Sequence, residues 1–120
     1  MKIRTGCDVE RVSRFETLLK KDHFCRRVFT EKEWEHIQKS GHPEASAAGI
    51  FCAKEAMAKA LGRGLFGLRP CELGIEWDAR GAPYPVLTGS AAGQYGQVQL
   101  SVSISHSGDT AFATCAALEE

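Results

Sequence analysis

A chain of 120 residues with fifteen basic and fifteen acidic side chains suits one domain with a modest core. Its zero formal net charge argues against a nucleic-acid binder that works by bulk charge. Five cysteines at 7, 25, 52, 71 and 115 are odd in number and never form a Cys-x-x-Cys pair, so neither a disulfide framework nor a zinc site is suggested, and a reducing compartment fits. With no secretory signal and no apolar run long enough to span a bilayer, a cytoplasmic protein with no membrane partner is expected.

Residues 2–9 alternate, with Ile3, Thr5, Cys7 and Val9 on one face and Arg4, Gly6 and Asp8 on the other. They read as a strand with Asp8 near its end. From Glu10 to Lys21, Val12, Phe15, Leu18 and Leu19 predict an amphipathic helix with Arg11 and Arg14 outside. Residues 22–29 are a short helix or loop. Thr30-Glu31-Lys32-Glu33 is a capping box, which places a helix over about residues 31–39 with Trp34 and Ile37 inward. Pro43 or Ser46 then opens the central helix, which ends on Gly62.

Ile50, Ala53, Met57 and Leu61 form one stripe of that central helix, and its other side is also small or apolar. A helix of this kind is usually buried. It nevertheless carries Lys54, Glu55 and Lys59. Glu55 and Lys59 are one turn apart, which reads either as a surface ion pair or as a catalytic carboxylate beside a cation. After the glycine-punctuated link 62–67, residues 72–78 and Tyr84–Thr88 are short strands around the turn at 79–83, with Pro85 marking an edge. Residues 90–96 are ambiguous, at most a helical turn. Val98, Leu100, Val102 and Ile104 alternate into His106, and Ser107-Gly108-Asp109 turns the strand back over residues 110–117. Helices come first and an antiparallel sheet second, joined by the N-terminal strand. This is a single α+β domain over residues 1–120.

Asp8, Glu55 and His106 each sit at or inside an ordered element. Two carboxylates without a Cys/His set suit a hard cation such as Mg²⁺, whose octahedron is usually completed by water and substrate phosphates. Lys54, Lys59 and His106 could then hold phosphate oxygens. No Gly-x-x-x-x-Gly-Lys-Ser/Thr loop occurs, which excludes a P-loop enzyme. The cations Arg11, Arg14, Lys20, Lys21, Arg26 and Arg27 outweigh Glu16 and Asp22, a local patch able to meet an acidic partner.

Gly6-Cys7-Asp8-Val9, followed at a fixed interval by Phe51-Cys52-Ala53-Lys54-Glu55-Ala56-Met57-Ala58-Lys59, resembles the two-part signature of the 4′-phosphopantetheinyl transferases. Phe24-x-x-Arg27-x-Phe29-Thr30-x-x-Glu33, Gly81-x-Pro83 and Val102-Ser103-Ile104-Ser105-His106 are similar to the short bacterial holo-acyl-carrier-protein synthase branch. The resemblance runs from about residue 3 to residue 117. Thr5, Cys7, Ile50 and Ser107 depart from it, Ile50 standing where an arginine is common.

The resemblance implies that Asp8 and Glu55 bind Mg²⁺, with coenzyme A as substrate. It implies that Lys59 neutralises a phosphate, with Lys54 on a phosphate or on Glu55. His106, from a neighbouring subunit, would meet the phosphate region, and Gly81 and Pro83 would line the adenine end. The implied reaction moves the phosphopantetheine arm onto a serine of apo acyl carrier protein, in support of fatty-acid or polyketide synthesis. Glu55 or a carboxylate of the carrier would take the serine proton. The implied carrier is acidic, and Arg11, Arg14, Arg26 and Arg27 could steer it, with Arg14 and Arg27 the preferred docking contacts and a structural role the alternative for Arg27. A homotrimer is the implied assembly. The alternative is a non-catalytic carrier-binding module of the same fold.

Overall fold

A computed structural model describes residues 1–120. In chain order the elements are β1 (Lys2–Arg11), α1 (Arg14–Leu18), α2 (Asp22–Val28), α3 (Glu31–Lys39), α4 (Pro43–Ala60), β2 (Leu73–Trp77), β3 (Pro83–Leu87), α5 (Gly89–Tyr95), β4 (Gln99–Ser107) and β5 (Thr110–Glu119). The α+β expectation holds. One antiparallel sheet has the order β1-β5-β4, and β2 and β3 form a separate hairpin. No helix is long and apolar enough to cross a membrane.

Helix α4 starts on Pro43, whose fixed φ suits a first helical turn, and is followed by Gly62 at φ 75°, a left-handed stop that costs glycine little. It lies flat on the three-stranded sheet. The seat is made of small side chains, with Ala111, Ala113, Cys115 and Ala117 of β5 all buried beneath it. A Cβ on Gly6 of β1 would run into the Ala56 carbonyl oxygen and come within 2.8 Å of the Ala60 nitrogen. A Cβ on Gly49 would lie 2.8 Å from Ile104 Cγ2 of β4. The helix therefore crosses the sheet obliquely, its first half over β4 and its last half over β1.

On the other side of α4 the chain makes a buried charged joint. Thr30 Oγ1 accepts from the Glu33 N–H at 3.1 Å, and Glu33 Oε1 accepts from the Thr30 N–H at 3.0 Å, which is the capping box expected from the sequence. Glu33 is completely buried. Its Oε1 also lies 2.9 Å from Lys54 Nζ, and its Oε2 accepts from the Ile75 N–H at 2.6 Å. Lys54 is equally buried and donates to the carbonyls of Pro70 at 2.9 Å and Leu73 at 3.0 Å. α3, α4, β2 and the turn before β2 thus meet at one ion pair. Burial lowers the pKa of Lys54, and the charge of Glu33 opposes that shift.

Two expectations are corrected. The helix expected from Glu10 to Lys21 begins only at Arg14 and ends at Leu18, because β1 continues to Arg11, which pairs with Thr110. The tip of the β4–β5 hairpin then takes over the chain. Asp109 accepts from the Ser13 N–H at 2.7 Å and from the Ser13 hydroxyl at 2.8 Å, and its carbonyl accepts from the Val12 N–H. Long-range pairing takes Glu10, Arg11 and Val12 out of the helix, while Phe15 and Leu18 keep their helical spacing in α1. Residues 90–96, ambiguous in sequence, belong to α5, where Glu72 accepts from the Ser90 hydroxyl and the Ala91 N–H. The alternation of β1 is as expected, but α4 covers its Gly6 and Asp8 face. Ile3 and Val9 point away and are 68% and 58% exposed.

Lys54→Met leaves the Glu33 carboxylate buried without its cation and is expected to cost about 3–5 kcal/mol in denaturant unfolding. Adding Glu33→Gln should bring part of that back, with a coupling on the order of 1–3 kcal/mol. Strictly additive losses would mean that the joint does not act as a pair.

Candidate active site

Asp8 and the C-terminal half of α4 come together because Gly6 lets the helix sit directly on β1. Lys59 Nζ donates to the Cys7 carbonyl at 2.9 Å and to Asp8 Oδ1 at 3.3 Å. The ion pair of Lys59 is therefore with Asp8 across the helix–strand contact, and not with Glu55 one turn back. The other oxygen of Asp8, Oδ2, is buried and has no hydrogen-bond partner. Burial and then the negative charge of Asp8 raise the pKa of Glu55, against the pull of Lys59. Burial, reinforced by Asp8 and Glu10, pushes the Cys52 thiol up to about 12. It stays protonated and is no nucleophile.

An orphaned carboxylate oxygen beside a second, half-buried carboxylate is a place short of positive charge. It fits a divalent cation with a preference for oxygen. No cluster of three or more His, Cys, Asp or Glu side chains is placed to enclose a metal ion, so an ion here would draw most of its ligands from water and substrate. Magnesium does this, commonly using one or two carboxylates with phosphate oxygens.

A second group assembles elsewhere. Gly81, Pro83 and His106 line one cavity of about 200 Å³ with His36, Ile50 and Trp77. Gly81 has φ 86° at the turn between β2 and β3, and Asp78 Oδ1 closes that turn by accepting from the Arg80 and Ala82 N–H groups. His106 on β4 and Glu10 on β1 share a cross-strand row, with Ala111 of β5 between them. The cavity therefore opens past β4, while Asp8, Glu55 and Lys59 gather over β1. None of those three lines it. Within one chain the expected site residues fall into two groups on opposite flanks of α4.

Lys54 belongs to neither group. It was expected at a phosphate or on Glu55, but its ammonium is fully enclosed and holds Glu33, Pro70 and Leu73. Its three N–H donors are accounted for, so this expectation is corrected. Arg14 pairs with Glu10, and the Arg27 guanidinium lies 4.6 Å from the centroid of the Phe66 ring. Both arginines are exposed. Sequence reasoning missed His36 altogether and took Trp77 only as part of the strand over residues 72–78. Their rings stack, with centroids 3.7 Å apart and planes within 5°, and no local spacing signals a contact between α3 and β2.

The family model for the 4′-phosphopantetheinyl transferase superfamily matches residues 4–115. A holo-[acyl-carrier-protein] synthase from Caldanaerobacter subterraneus is 38% identical, covering 98% of this chain and 96% of that protein. One from Syntrophotalea carbinolica is 40% identical, covering 91% and 90%. Among solved structures, an ACPS–CoA complex from Chronobacterium ammoniagenes superposes with a TM-score of 0.88 at 27% identity, over 100% of this chain and 99% of that one. The holo-[acyl-carrier-protein] synthase of Neisseria meningitidis superposes with a TM-score of 0.83 at 30% identity, over 97% and 98%.

The raised pKa of Glu55 makes its ionisation a cost to the folded chain. As pH rises above the ordinary glutamate value of about 4.3, the unfolded chain loses this proton first while the native chain keeps it. Stability falls across that window, and the penalty is complete above the raised pKa. Glu55→Gln is therefore expected to melt above the wild type at neutral pH in EDTA, with the gap closing below the ordinary carboxylate value. Identical melting at neutral pH would mean that Glu55 carries no unmet charge.

Proposed function

The chain belongs to the 4′-phosphopantetheinyl transferase superfamily, and from that membership we infer that it is a holo-[acyl-carrier-protein] synthase. It transfers the 4′-phosphopantetheine arm of coenzyme A to a serine of apo acyl carrier protein and releases adenosine 3′,5′-bisphosphate. The observation that carries the reading in this chain is the buried, partnerless Asp8 Oδ2 beside Glu55 and Lys59. A module that only bound carriers would have no use for such a carboxylate.

Asp8 and Glu55 are proposed to hold Mg²⁺, which when bound neutralises the pyrophosphate of coenzyme A. Lys59 keeps one N–H beyond its bonds to Cys7 and Asp8, and its side chain is 52% exposed against 15% for Asp8. It presents that donor to a phosphate from the open side. The serine oxygen attacks the β-phosphorus as its proton passes to Glu55 or to a carboxylate of the carrier, and the bond from that phosphorus to the departing adenosine bisphosphate breaks. Positioning and charge neutralisation do most of this work, as in other phosphoryl transfers. Arg14 and Arg27 are the proposed contacts for the acidic carrier, steering it by charge. Five free cysteines agree with a reducing, cytoplasmic setting.

Gly81, Pro83 and His106 are proposed to act on the coenzyme A held by a neighbouring subunit. The separation of the two residue groups across α4 supports this, because neither is complete alone. So does the bare outer face of the sheet, where Ile3, Val9 and Phe112 are exposed among small side chains. A homotrimer is the proposed assembly, with that bare face as its contact.

Incubation with apo carrier, coenzyme A and Mg²⁺ is expected to add about 340 Da to the carrier, read by mass spectrometry. No mass gain with any apo carrier would overturn the function. Asp8→Ala should lower kcat/KM on the order of 10²-fold or more while leaving a folded chain. Glu55→Ala and His106→Ala chains, each nearly inactive, should regain partial activity when refolded together. A double mutant mixed with either single mutant is the control. Mixed oligomers without recovered activity would place the whole site within one chain or remove His106 from it.

A further inference from the structure

The cavity past β4 has a property that the transfer reaction does not require. No Asp, Glu, Lys or Arg lines it, and its titratable groups are His36 and His106. Within this chain a nucleotide held there meets charge only through histidine, so this side of the site contributes mainly shape and ring packing. Trp77 supplies a flat surface for that packing. It is half-buried at the end of β2 and pairs in register with Pro83, which lines the same cavity.

His36 fixes that surface. It projects from an exposed position of α3, yet its ring lies parallel on the indole at 3.7 Å. Desolvation lowers its pKa, which keeps the imidazole neutral at neutral pH and the stacked pair free of charge. The Asx turn at Asp78 and the pairing of β2 with β3 hold the hairpin side of the wall. An indole kept only for the core would be enclosed. This one is left partly open, against the cavity, and is buttressed by a residue from another element.

We propose that Trp77 is a specificity-determining residue that packs against the adenine ring of coenzyme A, with His36 as the positioning residue that holds the indole flat. This rests on the reading of the cavity as the nucleotide subsite. A flat, uncharged, rigid wall selects a planar heteroaromatic ring, and aromatic side chains that stack on bases typically contribute a substantial share of affinity.

The chain has two tryptophans, so Trp34→Phe leaves Trp77 as the only indole. In that background adenosine 3′,5′-bisphosphate is expected to quench fluorescence saturably, and 4′-phosphopantetheine is not. In the otherwise wild-type enzyme, Trp77→Ala should raise the KM for coenzyme A on the order of tenfold, with kcat and the KM for the carrier nearly unchanged. Trp77→Phe should restore most of the loss, and His36→Ala should raise the same KM by a smaller factor. If Trp77→Ala does not fold, the fluorescence titration and the Trp77→Phe and His36→Ala kinetics decide. Absence of quenching, or an unchanged coenzyme A KM in folded Trp77→Ala while His106→Ala weakens nucleotide binding, would overturn the proposal and leave the cavity assignment standing. Unchanged nucleotide binding in both Trp77→Ala and His106→Ala would overturn both.

Discussion

The approach of α4 to the sheet is the constraint on which the rest of the molecule depends. Gly6, Gly49 and the buried alanines of β5 allow the helix backbone to lie almost on the strands. Close packing at this density tolerates little added volume. The geometry also does chemical work. Asp8 can share a proton donor with α4 only because the residue two positions before it has no side chain. A helix standing farther off would leave Lys59 short of Asp8 Oδ1 and the Cys7 carbonyl. Asp8 would then be a solvated strand carboxylate.

The neighbours Lys54 and Glu55 show how one helix can serve two opposite ends. Lys54 points into a closed set of partners, whereas Glu55 has no ion-pair partner and feels the negative charge of Asp8 more than the pull of Lys59. The buried joint with Glu33 also fastens α4 to β2, the strand whose last residue is Trp77. Charge is thus satisfied on one side of the helix, and the shortfall of positive charge is concentrated on the other. Active sites commonly carry such a shortfall while the surrounding fold compensates for it.

Local chemistry was readable in the sequence where the cause is local. The Thr30–Glu33 capping box, the Gly62 stop, the alternation of β4 and the turn that leads it into β5 depend on residues close together in the chain, and the structure has them all. The pairing of Asp8 with the α4 residues was accessible only through the spacing of two motifs, since nothing in either segment alone reports that they touch. The direction of Lys54 could not be read. A helix apolar nearly all round does not say which of two adjacent charges finds a partner. The expected helix from Glu10 starts late for the same reason, because Thr110 and Asp109 compete for its first residues from β5 and the hairpin tip.

The pairing of Lys2 with Glu119 sets a schedule for biosynthesis. Strand β1 leaves the ribosome before α4, but its neighbour in the sheet is β5, made after every other element of the fold. Until then Gly6 has no sheet to belong to, and α4, although strongly helical by composition, has no floor. Contacts this distant in sequence form slowly and close a long loop. The nascent chain therefore carries an apolar helix and a lone strand through most of translation, a form exposed to aggregation and to chaperones. Asp8 acquires its surroundings only at the end, so a polypeptide halted before β5 would have both carboxylate-bearing segments and no site.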